Sequence, residues 1–248
     1  MRLLILGGTT QASALSRALA GRSDLAPVLS FAGRTEKPVP PPIPFRVGGF
    51  GGIDGLRDYI VAQDIDAVID ATHPFAEQMS RHAAAACEAA AVPFVAFTRP
   101  AWERQTGDDW TEVAGIDDAV AALGAEPRRV FLTQGRLQLA AFAAAPWHTY
   151  LVRAIDPPAE IAALPRHRLI LARGPFGLAD ELALMRGEGI EILVTKNSGG
   201  AATYAKIEAA RQLGVKVIIL RRPAGAGVAE LHELDRILAW IEAHRPAP

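Results

Sequence analysis

Short, mainly apolar runs, separated by stretches with helical spacing, dominate the chain. Residues 2–6, Arg-Leu-Leu-Ile-Leu, form one such run and lead into Gly7-Gly8-Thr9-Thr10. A run of this length without polar alternation predicts a strand buried on both faces, and the turn after it opens a helix predicted over 11–21. The alternation continues with strands over 27–31, 66–70 and 92–97 and helices over 53–63 and 75–91. Residues 98–113 break the rhythm with Pro100, Trp102, Gly107 and Trp110 among polar residues, and read as a linker or short irregular hairpin at a domain boundary. Strands then resume over 130–133, 150–154, 169–172, 190–195 and 215–220, with helices over 137–144, 178–187, 202–213 and 228–243. This order predicts parallel βαβ units: an α/β protein of two Rossmann-like domains, 1–97 and 98–248, whose sheets face a central cleft.

A glycine turn between a buried strand and a helix N-terminus is an anion site, because the first helical N–H groups lack internal partners and the helix dipole favours negative charge. Gly7 to Ala12 is a partial match to the dinucleotide-binding fingerprint, with Thr and Ala in place of its second and third glycines. The second strand ends near Arg34 and Thr35 rather than an acid. A forked, permanent cation there suits a ribose 2′-phosphate, so the expected cofactor is NADPH rather than NADH. Gly8, Thr9, Thr10, Arg34 and Thr35 are the candidates to hold it. Gly52, in the Gly48–Gly52 run, is a further one where backbone could come close to the cofactor. Thr72 and His73, closing the third strand, border its reactive half, and His73 is a candidate donor or acid.

In the second half, basic residues recur where strands end: Arg136, Arg153, Arg173, Lys196 and the Arg221-Arg222 pair. Lys196-Asn-Ser-Gly-Gly200 forms a second glycine turn feeding a helix that carries Thr203 and Lys206. The physical reading is a polycarboxylate or polyphosphate substrate. Arg136, Arg153, Arg173, Lys196, Asn197, Ser198, Gly199, Thr203 and Lys206 are its candidate contacts, with Lys196 also a candidate proton source.

Composition narrows the classes. The net charge of −1 gives no global attraction to nucleic acid or membrane, and aromatic residues make up only 6%. The one cysteine, Cys87, excludes a disulfide framework, and the six histidines lack metal-ligand spacing, so no metal is expected. There is no phosphate-binding P-loop, no G-x-S-x-G elbow and no Tyr-x-x-x-Lys pair. The absence of a long apolar run and the strand that follows Met1 directly point to a cytoplasmic protein, a monomer or weak oligomer.

The blocks Ile5-Leu-Gly-Gly-Thr-Thr-Gln-Ala12, Gly33-Arg-Thr35, Asp70-Ala-Thr-His-Pro-Phe-Ala76, Arg99-Pro-Ala-Trp102, Arg173-Gly-Pro-Phe176, Thr195-Lys-Asn-Ser-Gly-Gly200 and Lys206-Ile-Glu-Ala-Ala-Arg211 resemble the precorrin-6A reductase family. They occur in order along nearly the whole chain. The resemblance implies NADPH-dependent reduction of one ring double bond of precorrin-6A, giving precorrin-6B on the route to cobalamin. It also implies a tetrapyrrole-derived substrate bearing acetate and propionate groups. Three alternatives stay open: reduction of the cobalt-containing macrocycle of the anaerobic pathway, a non-catalytic NADPH-binding sensor, and a sugar-nucleotide enzyme, against which the missing Tyr-x-x-x-Lys pair argues.

Overall fold

The computed structural model describes residues 1–33, 39–135, 138–225 and 227–246. In chain order the elements are β1 (Arg2–Leu6), α1 (Thr10–Leu19), β2 (Ala26–Phe31), β3 (Phe45–Val47), α2 (Ile53–Ala62), β4 (Ala67–Asp70), α3 (Glu77–Ala89) and β5 (Phe94–Phe97). They continue with β6 (Trp110–Val113), α4 (Ile116–Ala122), β7 (Arg129–Leu132), β8 (Thr149–Ala154), β9 (His167–Leu171), α5 (Leu178–Gly187) and β10 (Ile192–Lys196). The last are α6 (Ala205–Leu213), β11 (Lys216–Leu220), β12 (Glu230–Leu231) and α7 (Leu234–Ala243). Short 3-10 turns span Leu139–Ala144 and Ala159–Ala163.

The chain divides into two compact units, one of residues 1–100 with 223–248 and one of residues 101–222. The first holds a parallel sheet in the order β12-β5-β4-β1-β2-β3. β1 shows why an unbroken apolar run forms its central strand. Leu3 and Ile5 face a core that includes Leu15 and Leu19 of α1 and Ile237 and Ile241 of α7. Leu4 and Leu6 face the opposite core, with Leu56 and Ile60 of α2 and Ala83 and Ala86 of α3. Fully burying each such leucine or isoleucine contributes about 1.5–3 kcal/mol.

The second unit repeats the plan, with a parallel sheet in the order β6-β11-β10-β7-β8-β9. Phe131, Leu151, Leu193, Val217 and Ile219 line one face, against Met185 of α5 and Ile207 of α6. β1 to β5 and β7 to β11 thus follow the same order. In each unit the sixth strand comes from the other half of the chain: β6, after β5, joins the second sheet, and β12, after β11, joins the first.

That exchange corrects the expected boundary. Residues 223–248 belong with the first unit, not with 98–222, because β12 pairs with β5 and α7 packs on α1. Ion pairs reinforce the docking: Arg22 Nη2 lies 2.8 Å from Glu242 Oε1, and Arg245 bonds Asp24. Hydrogen bonds from Arg22 and Arg245 hold the Asp24 carboxyl below the usual carboxylate range. The expected helix over 228–243 begins only at Leu234, since its first residues form β12. The end of the expected linker, Trp110–Val113, is an edge strand, followed by α4, which had no predicted counterpart. Residues read as a helix over 137–144 make a 3-10 turn, Leu139–Ala144. Among the described residues no helix is long and apolar enough to cross a membrane.

Candidate functional site

In the first sheet the connections from β1 and from β4 run in opposite directions, so a crevice opens beyond the carboxyl ends of these two neighbouring strands. Gly7 ends β1 where space is tightest: a Cβ there would lie 2.4 Å from Leu29 Cδ1 and 3.2 Å from Ala12 Cβ. Gly8 follows at φ +122, with nothing within 4 Å of an added Cβ. This is the open, close-approach backbone that a pyrophosphate requires. Thr9 is the N-cap of α1. Its Oγ1 accepts the Ala12 N–H at 3.2 Å and donates to Ala71 O at 2.6 Å, tying the turn to the end of β4. Thr9 therefore shapes the turn from within, while Thr10 stands exposed, donating to Gln11 Oε1 at 3.0 Å. Arg34 and Thr35 lie outside the described residues.

Across from the turn, buried Asp70 closes β4. It accepts the Thr72 N–H on Oδ1 at 2.9 Å and the Ser80 hydroxyl on Oδ2 at 2.5 Å, which orders the Thr72-His73 loop. His73 Nδ1 accepts the Phe75 N–H at 3.2 Å. That bond places the ring proton on Nε2 in the neutral form and leaves Nε2 as the donor. Gly52 begins α2 at φ +96.

Two arginines escaped sequence reasoning here. Arg46 Nη1 donates to Ser30 Oγ at 2.8 Å and to Gly48 O at 3.0 Å, and its guanidinium lies 4.1 Å from the Phe50 ring centre. It thereby organises the Gly48–Gly52 loop. Arg99, just after β5, donates to Gln11 Oε1 at 2.9 Å, which brings a cation to the first turn of α1. Arg99 stood in a recognised block, but only its pairing with Gln11 assigns it to the turn.

The second sheet has its own reversal between β7 and β10. Lys196 ends β10, half-buried, and Gly199 and Gly200 both take φ +68, so the chain can turn tightly before α6. Asn197 does not present its carboxamide to solvent. Trp102 N donates to its Oδ1 at 2.8 Å and its Nδ2 donates to Trp102 O at 2.9 Å. Trp102 Nε1 donates to Gly200 O at 2.8 Å, and Arg222 donates to the Asn197 and Ser198 carbonyls, each at 2.9 Å. The turn is held from both sides, by Trp102, to which sequence reasoning gave no role, and by Arg222, which it counted only as a strand-end cation. Thr203 is half-buried in the turn before α6, not on the helix. Lys206 is buried within α6, with Nζ 5.5 Å from the Trp102 ring centre.

Arg153, at the end of β8, is also buried. Its Nη1 lies 2.7 Å from Glu181 Oε1, with the two side chains 7% and 1% exposed, and its guanidinium sits 3.7 Å from the Phe176 ring centre. Glu181 fixes one edge of the fork, and the other edge carries donors that suit a carboxylate. Arg173 is exposed just before the cis Gly174-Pro175 bond. Arg136 lies outside the described residues. Cys87 is buried, and burial pushes its thiol up to about 12, with Asp70 adding to the rise, so it carries no thiolate at neutral pH. Among the described residues no group of three or more His, Cys, Asp or Glu side chains is placed to hold a metal ion.

Two parallel sheets of one strand order, each with a glycine turn at its reversal point, define a doubly wound, Rossmann-like α/β protein. Comparison with known proteins narrows this. The family model described as "Precorrin-6x reductase CbiJ/CobK" matches residues 2–242. The chain is 48% identical over 247 residues to a precorrin-6A reductase of Rhodobacter capsulatus, covering 100% of this chain and 98% of the relative. It is 43% identical over 242 residues to one of Mycobacterium tuberculosis, covering 97% of each. A cobalt-precorrin-6A reductase of Priestia megaterium is 29% identical over 180 residues, covering 68% of this chain and 70% of the relative. A solved structure titled "CobK precorrin-6A reductase" superposes with a TM-score of 0.94 at 47% identity, covering 100% of this chain and 98% of that one. The chain belongs to the precorrin-6x reductase CbiJ/CobK family.

Proposed function

We propose that the chain is a precorrin-6A reductase of cobalamin biosynthesis, in which NADPH reduces one ring double bond of the metal-free macrocycle to give precorrin-6B. The observation that carries this reading is full-length identity of 48% to a metal-free-type reductase, against 29% over 68% of the chain for a cobalt-type one. The cradle at Gly7 and Gly8 fits a dinucleotide pyrophosphate, because a side chain at Gly7 would collide with Leu29 and Gly8 opens onto free space.

NADPH, when bound, supplies the hydride. Gly8, Thr10 and the α1 N-terminus receive the pyrophosphate, with Arg99 adding positive charge beside Gln11. Thr9 holds this turn against β4, Arg34 and Thr35 take the 2′-phosphate, and the Gly52 loop, braced by Arg46, flanks the cofactor. Thr72 and His73 border its reactive half, with His73 Nε2 as donor.

Arg136, Arg153, Arg173, Lys196, Ser198, Gly199, Thr203 and Lys206 recognise the substrate's carboxylates. Asn197 joins them as a positioning residue through its grip on Trp102. Lys196, His73, water and a substrate carboxyl are the candidates to deliver the proton to the neighbouring ring carbon, and Lys196→Met and His73→Asn each remove one source. Assay of metal-free and cobalt-containing precorrin-6A side by side, with NADPH oxidation followed anaerobically, tests the reading. Preferential turnover of the metal-free substrate is expected; preference for the cobalt form would replace it with the anaerobic-pathway assignment. Tight NADPH binding with no oxidation by either substrate would favour the sensor.

A further inference from the structure

We infer that Gln134 is a substrate-reading residue at the reversal point of the second sheet, an inference that rests on the macrocycle reading above. Gln134 is 6% exposed, yet neither its Oε1 nor its Nε2 has a hydrogen-bond partner. Trp110 and Glu181 each leave one buried polar atom unpaired; Gln134 leaves both halves of its carboxamide unpaired. Buried polar groups in folded proteins are nearly always bonded, so a doubly unpaired carboxamide calls for a partner from outside the fold.

Its position says which partner. β7 and β10 are neighbours in the register Val130↔Ile192 and Leu132↔Val194. β7 ends at Leu132 and β10 at Lys196, so Gln134, in the bend two residues past β7, lies beyond the carboxyl end of β7 at the reversal point. Phe131 and Leu193 belong to the core on one face of the sheet. By alternation Val130 and Leu132, with Ile192 and Val194, line the other face, and Gln134 lies in the bend beyond the strand end.

A carboxylate alone satisfies Nε2 and leaves Oε1 unmatched. The pairing that satisfies both atoms is a carboxylate that accepts from Nε2 and holds a water that donates to Oε1, which the peripheral acetate and propionate groups of the macrocycle can supply. Gln134 reads this carboxylate through its neutral amide, and Lys196, at the end of the neighbouring strand, supplies charge.

Gln134→Met keeps the side-chain volume and removes both hydrogen-bonding atoms. The expected result is a Tm equal to or above that of the parent, because no bond within the fold is lost. A precorrin-6A dissociation constant raised about tenfold or more is also expected, read without NADPH from the visible absorbance of the macrocycle, with NADPH affinity unchanged. Gln134→Glu, which keeps an acceptor and adds negative charge, weakens macrocycle binding further. A Gln134→Met protein with a lowered Tm, or one that fails to fold, would show that the carboxamide is bonded within the fold and overturn the inference. So would an unchanged macrocycle affinity at any Tm. A parent protein that does not bind precorrin-6A removes the substrate reading itself; a parent that binds it as well as Gln134→Met does removes only the role of Gln134.

Discussion

Asn197 grips both backbone polar groups of Trp102, taking its N–H at 2.8 Å and giving to its carbonyl at 2.9 Å across 95 positions of sequence. Each such bond contributes about 1 kcal/mol net. Asn197→Ala is therefore expected to lower unfolding stability by about 2 kcal/mol, measured by urea denaturation. Asn197→Asp keeps the bond from Trp102 N but turns an acceptor toward Trp102 O, so it is expected to destabilise as well. Both variants are expected to weaken macrocycle binding, because Lys196 shares the segment they loosen.

Thr9 joins two elements through one hydroxyl, capping α1 and bonding Ala71 O. Thr9→Val keeps the shape and loses both bonds, with an expected cost of about 1–2 kcal/mol by thermal or urea unfolding. Thr9→Ser restores them and is expected to stay close to the parent. Neither change is expected to alter the NADPH-to-NADH preference.

The Arg153–Glu181 pair separates folding from recognition. Glu181→Ala strands a buried guanidinium and is expected to cost about 3–5 kcal/mol. Replacing both residues by methionine removes the uncompensated charge, and stability is expected to recover most of that loss. Precorrin-6A binding is expected to stay weak in the double variant. Recovery of both properties would assign the pair to structure alone.

His148 is buried between Arg128 and Gly124: its Nδ1 accepts the Arg128 N–H at 3.1 Å, and its Nε2 lies 3.2 Å from Gly124 O. Burial, the larger effect, holds its pKa below the ordinary 6.5, against the opposing pull of the Gly124 carbonyl. The unfolded chain therefore takes up this proton first. The stability that neutral His148 contributes is complete above about pH 6.5 and is lost as the pH falls from there toward the lower folded value. His148→Gln, which does not titrate, is expected to flatten the fall in Tm between about pH 7 and 5.

In the proposed reading, Arg34 sets the choice of cofactor. Arg34→Ala is expected to raise the KM for NADPH by about tenfold to a hundredfold while leaving that for NADH nearly unchanged. An equal effect on both cofactors would remove the 2′-phosphate from its role.

Much of the fold was legible because a central parallel strand is buried on both faces and therefore shows as an apolar run, as at residues 3–6 and 192–194. Edge strands carry no such signal. Trp110–Val113 pairs on one side only and sets two polar residues, Thr111 and Glu112, between its buried ends, while β3 and β12 are too short for any period. The docking of α7 was hidden because its partners lie more than 200 positions away, as in Arg22 to Glu242. In the candidate site, the glycine turns announced themselves by composition. The charges at strand ends did not reveal which were bonded inside: Arg153 beside Glu181, or Asn197 on Trp102, is a long-range pairing that local pattern cannot carry.

The central claim is tested most directly by a single turnover with NADPH deuterated at the transferring position, mixed anaerobically with purified metal-free precorrin-6A. One NADPH oxidised per macrocycle, with one deuterium carried into a product two hydrogens richer than the substrate, is the predicted result. Macrocycle consumed without matching NADPH oxidation, or a reduced product without deuterium, would contradict it.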